Sequence, residues 1–297
     1  MNSNPFSMKL SPILKWQGGK RKLFNQISTF YPKFFNNYIE PFSGAYALFT
    51  DLFNKSYINK NTSVFFNDIN KDLIFLFENI KNNITLFLTI YNNYINGLDK
   101  NEYYNIKSIF NNYVKSNIFN VERSVMFFSL MQNCFNGVVR YNKKQEFNTS
   151  YGRKVKRHTN IIDLLNFTNY IFNNFNINFS TKAYIDFFYS FDYKSDDFFY
   201  IDPPYYSINK ENSVTKYDSN VFNENDQINL YSFFKEIDNK KNFVLLSNSK
   251  CNFISNLYSN YKIIEIDVYR GLCSNSEYRV KTQEYLILGN YLYNSIK

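Results

Sequence analysis

The amino-acid sequence predicts an α/β protein built on a doubly wound, mostly parallel β-sheet. Short apolar runs rich in β-branched and aromatic residues recur along the 297-residue chain, and several end abruptly at polar or acidic residues. Continuous apolar runs of this length are typical of strands that are buried on both faces. Helical patterns lie between the runs, and this alternation is typical of a sheet covered by helices.

Three of the predicted strands end at carboxylates. The runs predicted to form strands are residues 38–40, 64–68, 198–202, 243–248, 262–266 and 284–288. Glu40, Asp68 and Asp202 close the first three of these runs. Because ligands of doubly wound sheets bind beyond the carboxyl ends of the strands, we expect these three side chains to lie beside one ligand site.

The middle of the chain differs from both ends, because its pattern is mainly helical. An amphipathic pattern over residues 70–80 is one example. From about residue 71 no apolar run ends in a carboxylate, and the stretch finishes in basic turns. We interpret residues 71–160 as a domain inserted into a sheet domain formed by residues 1–70 and 161–297, with its basic end facing a ligand.

The composition is basic, with 34 Lys and Arg against 25 Asp and Glu and a formal net charge of +9. This excess favours a polyanionic partner such as nucleic acid. Asn, Lys, Ile, Phe and Tyr are abundant and share AT-rich codons, which indicates a low-GC prokaryotic or phage genome. Residues 1–9 lack the apolar core of a signal peptide and no run reaches membrane-spanning length, so we expect a cytoplasmic, nucleoid-associated protein without a membrane partner.

Metal chemistry is not expected from the residue types available. Cys134, Cys251 and Cys273 lie far apart, and His158 is the single histidine. These residues cannot form a zinc site at ordinary ligand spacing. Catalysis by a Ser-His or Cys-His pair would depend on His158, which lies in a basic stretch typical of a solvated loop.

The tetrapeptide Asp202-Pro203-Pro204-Tyr205 is the sharpest chemical signal in the sequence. Two prolines remove two backbone donors and hold the chain extended after a buried strand. The Asp202 carboxylate and the Pro203 carbonyl can then accept hydrogen bonds from one amino group, while Tyr205 offers a ring for stacking. Such acceptors favour a pyramidal, nucleophilic nitrogen in an amino group whose lone pair is otherwise delocalised into a base. The alternative is an ordinary turn, since Asp-Pro commonly starts turns.

Two further motifs follow the first two predicted strands. In Glu40-Pro41-Phe42-Ser43-Gly44-Ala45, small residues after a strand would let a cofactor approach the backbone, although such turns also simply join a strand to a helix. Asp68 is placed to accept hydrogen bonds from ribose hydroxyls. Its alternative role is the N-cap of a helix that begins near Asn70, and both roles can hold at once.

A third motif, Lys15-Trp16-Gln17-Gly18-Gly19-Lys20, precedes the first predicted strand and contains the single Trp. Flexible glycines between two lysines could hold an anionic or carboxylate group. The alternative is a basic turn with a buried Trp.

Together these motifs resemble the Dam-type DNA adenine methyltransferases, the alpha group of amino-methyltransferases. They occur in the order of that family and span nearly the whole chain. Between the cofactor motifs and the tetrapeptide, residues 136–142, 146–148 and 151–153 resemble the target-recognition hairpin of enzymes that methylate GATC.

The resemblance implies a Rossmann-like class I S-adenosylmethionine-dependent methyltransferase sheet with an inserted, mainly helical target-recognition domain. The implied reaction transfers a methyl group from S-adenosylmethionine to N6 of an adenine in GATC, flipped out of double-stranded DNA. Asp202, Pro203, Pro204 and Tyr205 would grip the adenine. The implied cofactor-binding residues are Trp16, Lys20, Glu40, Phe42, Gly44, Asp68, Asp186 and Asp202.

The resemblance also assigns residues to DNA. Lys15 and Arg140 would read guanines, the commonest contact of basic residues in the major groove. Recognition and phosphate contact would be completed by Asn136, Val138, Asn142, Ser150 and Arg153. Basic residues nearby would add salt-dependent affinity; they are Lys143, Lys144, Lys154, Lys156 and Arg157. A cognate restriction endonuclease acting separately is compatible with this activity.

Three departures from the family pattern stand out. Tyr46 occupies a position where the cofactor loop often has a further glycine, so the loop would be less permissive or capped by an aromatic ring. Gln145 and Ser150 replace a glycine and a proline of the recognition hairpin, which bears on the DNA sequence that the enzyme recognises.

Three alternatives remain open at this point. A cytosine-N4 or RNA methyltransferase would share the fold, although Ser more often replaces Asp202 in that group. A nucleotide-dependent α/β enzyme lacks support, because no phosphate-binding Gly-Lys-Ser/Thr loop is present. A non-catalytic DNA-binding relative is disfavoured by the intact tetrapeptide.

Overall fold

The computed structural model describes residues 8–152, 160–206, 222–270 and 280–297. Within these ranges the strands form one seven-stranded sheet in the order β3-β2-β1-β4-β5-β7-β6. The strands are β1 (Asn37–Glu40), β2 (Ser63–Asn67), β3 (Asn176–Ser180), β4 (Phe198–Ile201), β5 (Phe243–Ser249), β6 (Lys262–Arg270) and β7 (Val280–Leu288).

The sheet is mostly parallel, as predicted. Strands β1 to β5 pair in parallel, whereas β7 runs antiparallel to both of its neighbours, β5 and β6. The chain order reverses between β1 and β4, which makes their carboxyl ends the switch point where ligands of such sheets bind. The α/β class I methyltransferase type of sheet is therefore confirmed.

One strand, β3, escaped the sequence prediction. It is an edge strand that pairs only with β2 in the described sheet. Ile177 is buried while Asn176 and Asn178 are exposed, so the segment has no continuous apolar run. A half-exposed edge strand is therefore hard to distinguish from a loop in this asparagine-rich sequence.

Helices cover the sheet and fill the middle of the chain. They are α1 (Phe24–Ile27), α2 (Ala47–Asn54), α3 (Lys71–Asn82), α4 (Ile84–Tyr91), α5 (Lys100–Lys115), α6 (Val121–Asn133), α7 (Ile161–Asn174), α8 (Tyr184–Ser190), α9 (Glu224–Asn239), α10 (Asn252–Leu257) and α11 (Asn290–Ser295). Helices α3 to α7 lie between β2 and β3, so the predicted helical stretch is confirmed. No single helix in the described ranges is long and apolar enough to cross a membrane; α3 and α4 pass that test only as a pair, bent by 110°.

The start of α3 corrects one prediction. Asn70 is the N-cap, because its side-chain oxygen accepts the Leu73 N–H at 3.0 Å. Asp68 does not cap the helix; its Oδ1 instead accepts the backbone N–H of Asn70 at 2.8 Å. The helix is therefore tied to the end of β2 through two side chains that precede its first residue, those of Asp68 and Asn70.

The core lies on both faces of the sheet, as continuous apolar runs require. In β4, Phe198 and Tyr200 join the core cluster on one face, whereas Phe199 and Ile201 join the cluster on the other. All four side chains are buried. Since burying one such side chain contributes about 1.5–3 kcal/mol, this strand is held firmly between the two helical layers.

Residues 134–151 form an irregular antiparallel hairpin, called the recognition hairpin below. Its two strands meet at isolated bridges between Cys134 and Tyr151 and between Tyr141 and Phe147. Helix α5 supports its returning strand: the Asn111 side chain accepts the Phe147 N–H at 2.8 Å and donates to the Phe147 carbonyl at 3.2 Å. The resemblance-based expectation of a hairpin at this place agrees with the observed backbone.

Candidate active site

The site forms at the carboxyl edge of the sheet, where three predicted carboxylates come together. Glu40 ends β1, Asp68 follows β2, and Asp202 follows β4. Strands β1, β2 and β4 are neighbours in the sheet, so these side chains share one edge. This placement agrees with the expectation from the apolar runs.

Asp202 is bound by the ammonium group of Lys20. Lys20 Nζ lies 2.8 Å from Oδ1 and 2.7 Å from Oδ2 of Asp202, and it also donates to the Gly18 carbonyl at 2.9 Å. The two side chains are only 6% and 20% exposed, so the ion pair is largely shielded from water. Burial raises the pKa of Asp202, and Lys20 opposes this rise, while the nearby Glu284 carboxylate adds to it. The glycine-rich motif therefore serves to bring a lysine to the tetrapeptide.

Tyr205 is held by a residue that the sequence analysis did not identify. Its hydroxyl donates to Glu284 Oε2 at 2.8 Å, and Lys20 Nζ lies 4.9 Å from the centre of its ring. Glu284 is the middle residue of β7, is buried, and pairs with Ser249 at the carboxyl end of β5. Because β7 is antiparallel, the beginning of this strand reaches the carboxyl edge of the others. Only carboxylates at the ends of runs were considered from the sequence, so Glu284 was overlooked.

Pro204 is held from the other side by a buried pair of amides. Gln227 Nε2 of α9 donates to the Pro204 carbonyl at 3.2 Å. Gln227 Oε1 accepts from Asn248 Nδ2 of β5 at 2.9 Å, and both amides are fully buried. No sequence signal marks Gln227, whereas Asn248 could have been noticed as a polar residue near the end of an apolar run.

The loop after β1 packs under Trp16. Gly44 has a φ of +47°, and a Cβ atom there would lie 2.9 Å from two ring atoms of Trp16. Glycine is therefore required both by the backbone conformation and by this close approach. Trp16 is half-buried against the loop, so the N-terminal motif contacts the predicted cofactor loop as well as the tetrapeptide.

Asp68 organises the same loop. Its Oδ2 accepts the Gly44 N–H at 3.0 Å, while Oδ1 bonds the backbone of Asn70. Burial raises the pKa of Asp68, and these two hydrogen bonds oppose the rise. A carboxylate has about four acceptor positions, so Asp68 retains capacity for ligand hydroxyls.

Tyr46 does not cap the loop with its ring, which corrects one of the two expectations for this departure. Its ring is fully buried and packs at 4.9 Å from Phe77 and 5.7 Å from Phe66 in the core beneath the loop. Its backbone nevertheless adopts φ 45° and ψ 40°, the left-handed region that glycine favours. Tyr46 thus adopts the backbone conformation that glycine favours, and its side chain packs in the core.

Glu40 is a buried acid with two local donors. Its Oε1 accepts from the Tyr38 hydroxyl at 2.6 Å and from the Phe49 N–H at 3.2 Å. Burial raises the pKa of Glu40 to about 8; these two hydrogen bonds oppose the rise, and the charge of Asp202 adds to it.

Phe42 and Asp186 border the same edge of the sheet. The Phe42 ring lies 5.5 Å from Tyr184 and 5.9 Å from Phe222, and the latter two rings lie 5.3 Å apart. Asp186 is exposed in the first turn of α8, two residues after Tyr184. The sequence predicted Phe42 and Asp186; Tyr184 and Phe222 were missed because aromatic residues are so frequent in this chain.

Lys15 joins the recognition hairpin to the active site. A Cβ atom on Gly137, whose φ is +67°, would lie 2.4 Å from the Lys15 carbonyl oxygen. Gln132 Nε2 also donates to the neighbouring Ile13 carbonyl at 3.0 Å. Lys15 itself is exposed, so its ammonium group is available beside the hairpin.

The predicted DNA-contacting residues of the hairpin differ in exposure. Asn136, Val138 and Arg140 are half-buried, whereas Ser150 is exposed. Asn136 adopts a positive φ of 56°. Phe135, which the sequence analysis passed over, is 55% exposed at the start of this segment. Arg153 lies outside the described residues, as do Lys154, Lys156, Arg157 and His158.

Asn142 builds the turn of the hairpin. Its Oδ1 accepts the N–H groups of Lys144 and Glu146 at 2.9 Å and 3.0 Å, and its Nδ2 donates to Glu146 Oε2 at 2.8 Å. Gln145 adopts φ 61° in the same turn, so it keeps the left-handed backbone of the glycine it replaces. Lys143 and Lys144 project as exposed cations from the turn.

No group of three or more His, Cys, Asp or Glu side chains in the described ranges could hold a metal ion. Cys134 and Cys251 are buried free cysteines there, and Cys273 lies outside those ranges. The chemistry available at the carboxyl edge is thus that of carboxylates, one ammonium group, amides and aromatic rings.

A sheet of this topology with an Asp-Pro-Pro-Tyr site at its switch point is the arrangement expected of an amino-methyltransferase. Residues 16–272 match the family model of the D12 class N6 adenine-specific DNA methyltransferases, and the chain belongs to this family. The family acts on adenine in DNA, so the cytosine-N4 and RNA alternatives lose their support.

Curated relatives carry corresponding names. The Type II methyltransferase M.MjaIII of Methanocaldococcus jannaschii is 31% identical, with 96% of this chain and 100% of that protein aligned. The Type II methyltransferase M1.LlaDCHI of Lactococcus lactis is also 31% identical, with 96% of each chain aligned. A DNA adenine methylase of Haemophilus influenzae is 32% identical, with 95% of this chain and 94% of that protein aligned.

Proposed function

We propose that this enzyme transfers the methyl group of S-adenosylmethionine to N6 of an adenine flipped out of duplex DNA, and that its target is GATC. The observation that carries the proposal is the buried Lys20–Asp202–Tyr205 cluster beside the Gly44 loop at the switch point. The target sequence is supported by the resemblance of the recognition hairpin to that of GATC-methylating enzymes.

The residues present fit this cofactor. Gly44 opens the backbone of the loop, and Asp68 retains acceptor capacity for ribose hydroxyls. Asp202 binds the ammonium group of Lys20, and the carboxylate of Glu284 lies near Asp202. An excess of carboxyl groups over ammonium groups suits a cationic ligand. Trp16, Phe42 and Asp186 would complete the enclosure.

When bound, S-adenosylmethionine supplies an electrophilic methyl group on a sulfonium. Asp202 is placed to accept a hydrogen bond from the adenine amino group, because each of its oxygens keeps an acceptor position beside the one that Lys20 occupies. Tyr205 presents its ring to the base while Glu284 holds its hydroxyl. As the nitrogen gains a methyl group it loses one proton, and the Asp202 carboxylate is the acceptor in closest reach.

The burial of the site supports base flipping. The amino group of adenine lies within the base-pair stack of a duplex, and the Asp202 side chain is only 20% exposed. A base that has left the stack can reach a carboxylate recessed in this way. The exposed ring of Phe135, at the start of the hairpin, is suited to fill the space between base steps.

We further propose that residues 71–160 form the target-recognition domain within a methyltransferase domain of residues 1–70 and 161–297. Lys15, Lys143 and Lys144 are exposed, and Arg140 is half-buried. Arg140 and Lys15 would read guanines, while Asn136, Val138, Ser150 and Arg153 complete the contact. Asn142 would act by shaping the turn.

The relatives named Type II methyltransferase suit a modification role beside a restriction endonuclease of the same target, and the relative named DNA adenine methylase suits a solitary role. Both assign the same chemistry to the site.

Methyl transfer from labelled S-adenosylmethionine to duplexes with and without GATC tests the proposal. We expect label on N6 of adenine in the GATC duplex alone. Label on adenine in another sequence would contradict the proposed GATC target but agree with the proposed methyl transfer to adenine. Absence of a thermal shift with S-adenosylmethionine and with its demethylated product would contradict the cofactor assignment.

A further inference from the structure

A buried ion pair in the helical region has no part in the proposed chemistry. Arg123 Nε of α6 lies 2.7 Å from Asp72 Oδ1 of α3, and the two side chains are only 4% and 7% exposed. Arg123 is itself held in place, since its Nη1 donates to the Ile118 carbonyl at 2.9 Å and its guanidinium lies 3.9 Å from the centre of the Phe119 ring.

Such a pair is a weak source of stability, because desolvation of two charges offsets their attraction. The best-attested use of a buried ion pair is to favour one arrangement of the chain over others. Here the arrangement concerns the recognition hairpin, which is bonded to the second carboxylate oxygen of Asp72. Asp72 Oδ2 accepts the hydroxyl of Tyr141 at 2.9 Å.

Tyr141 belongs to the outgoing strand of the recognition hairpin and directly follows Arg140. The returning strand is held by α5, through Asn111 at Phe147 and through the Tyr103 hydroxyl at the Thr149 carbonyl. The Asp72 contact instead ties the outgoing strand to α3. The two strands are thus fixed to different helices.

Helix α3 is in turn anchored to the active-site edge. Asp72 lies in its first turn, two residues after the N-cap Asn70. The backbone of Asn70 is bonded to Asp68, which also binds the Gly44 loop. A continuous series of hydrogen bonds and helix backbone therefore connects the Gly44 loop to the residue next to Arg140.

We propose that Asp72, oriented by Arg123, is a positioning residue for target recognition: through the Tyr141 hydroxyl it sets the place of Arg140 relative to the active site. This inference rests on the proposed function of the recognition hairpin. It assigns to Asp72, Arg123 and Tyr141 an effect on sequence discrimination without direct contact with a base.

Tyr141→Phe tests the proposal, because it removes one hydroxyl and leaves Asp72 paired with Arg123. The matched control is Tyr113→Phe, which removes a tyrosine hydroxyl bonded at 2.7 Å to the Glu122 carboxylate in the same helical region. The probe is a set of short duplexes carrying GATC or a site with one base pair replaced. The readouts are kcat/KM on each duplex, affinity for a duplex without the site, and affinity for S-adenosylhomocysteine.

We expect Tyr141→Phe to reduce the kcat/KM ratio between GATC and the replaced sites by about tenfold, the effect of losing one hydrogen bond to a charged acceptor. Its affinities for non-target DNA and for S-adenosylhomocysteine should equal those of the parent enzyme, which also shows that the variant is folded. Tyr113→Phe should keep the parental ratio.

A parental ratio in Tyr141→Phe would overturn the inference, as would an equal loss in both variants. If the parent enzyme itself does not discriminate among the duplexes, the proposed recognition function fails, and the inference fails with it. The parent measurement thus separates the two failures.

Discussion

The carboxyl edge of the sheet and the recognition hairpin hold their functional residues in opposite ways. At the edge, Asp202 and Tyr205 are bound by buried side chains from distant parts of the chain, Lys20 and Glu284. In the hairpin, Asn142 bonds to residues two and four positions away, and the turn is exposed. The difference teaches that chemistry here depends on charges fixed away from water, whereas recognition depends on a shaped backbone that leaves side chains accessible.

The largest effect is expected at Asp202. Asp202→Ala removes the acceptor for the adenine amino group, so methyl transfer should fall by about 10²–10⁴-fold. DNA affinity should change by a small factor only, because it depends on exposed cations elsewhere. Single-turnover transfer and a DNA-binding titration measure both quantities, with Asp192→Ala, an exposed acid between α8 and β4, as the control. Retained turnover in Asp202→Ala would remove the catalytic assignment.

A substitution in the recognition hairpin should change the preference for DNA sequence and not the rate of methyl transfer. Arg140→Ala should relax the preference at one base pair by about 1–3 kcal/mol, since a bidentate contact to guanine is lost. Competition between duplexes that differ at single positions measures this change. The control, Lys144→Ala, should weaken binding to all duplexes alike and reduce its salt dependence. An unchanged preference in Arg140→Ala would exclude the residue from base readout.

Glu284→Gln tests how far the edge depends on buried charge. The Tyr205 hydroxyl would lose a charged acceptor, and we expect kcat to fall about tenfold with little change in KM. In a Tyr205→Phe background the same substitution should have a smaller effect, because the hydrogen bond between the two side chains is already lost. Glu265→Gln, on the neighbouring strand β6 and exposed, should behave as the parent enzyme. Independent, additive losses from Glu284→Gln and Tyr205→Phe would contradict this account.

Glu40 predicts a pH dependence of stability at the edge. Its pKa is raised by burial from 4.5 to about 8, so the folded protein keeps a proton that the unfolded chain has already lost. The corresponding stabilisation is full below the unfolded value and is lost as the pH rises toward about 8. Glu40→Gln keeps an acceptor for Tyr38 and Phe49 but has no proton to lose. The free energy of unfolding of the variant minus that of the parent should therefore rise by at least about 1 kcal/mol between pH 5 and pH 8. Denaturant titrations at both pH values measure this rise. Equal pH profiles of the variant and the parent would show that folding does not raise the pKa of Glu40.

The smallest effect concerns the backbone of the hairpin. Gln145 has a φ of 61°, a conformation that costs a residue with a side chain about 1–2 kcal/mol. Gln145→Gly should therefore stabilise the protein, by less than about 1 kcal/mol, because glycine is also more flexible when unfolded. Thermal unfolding measures the change. Lys144→Gly in the same turn, where φ is not positive, should be destabilising, and a gain from both substitutions would contradict the argument.

The sequence predicted most of the sheet because a strand buried on both faces needs an apolar run, and such a run is visible locally. β4 and β5 are examples, and Asp202 could be placed at a strand end from its position alone. The edge strand β3 was missed because only one of its faces is buried. Asp68 was given a capping role that belongs to Asn70, since two polar residues close together offer the same local signal.

What the sequence by itself determined is the alternation of strands and helices, the carboxylates at the strand ends and the motifs of the family. These features depend on neighbouring residues and on periodicity. Only the tertiary structure decided which groups meet: Lys20 with Asp202, Glu284 with Tyr205, and Asp72 with Tyr141. Those pairs depend on strand order and direction, above all on the antiparallel β7 between β5 and β6, because the direction of a strand decides which of its ends reaches the active site.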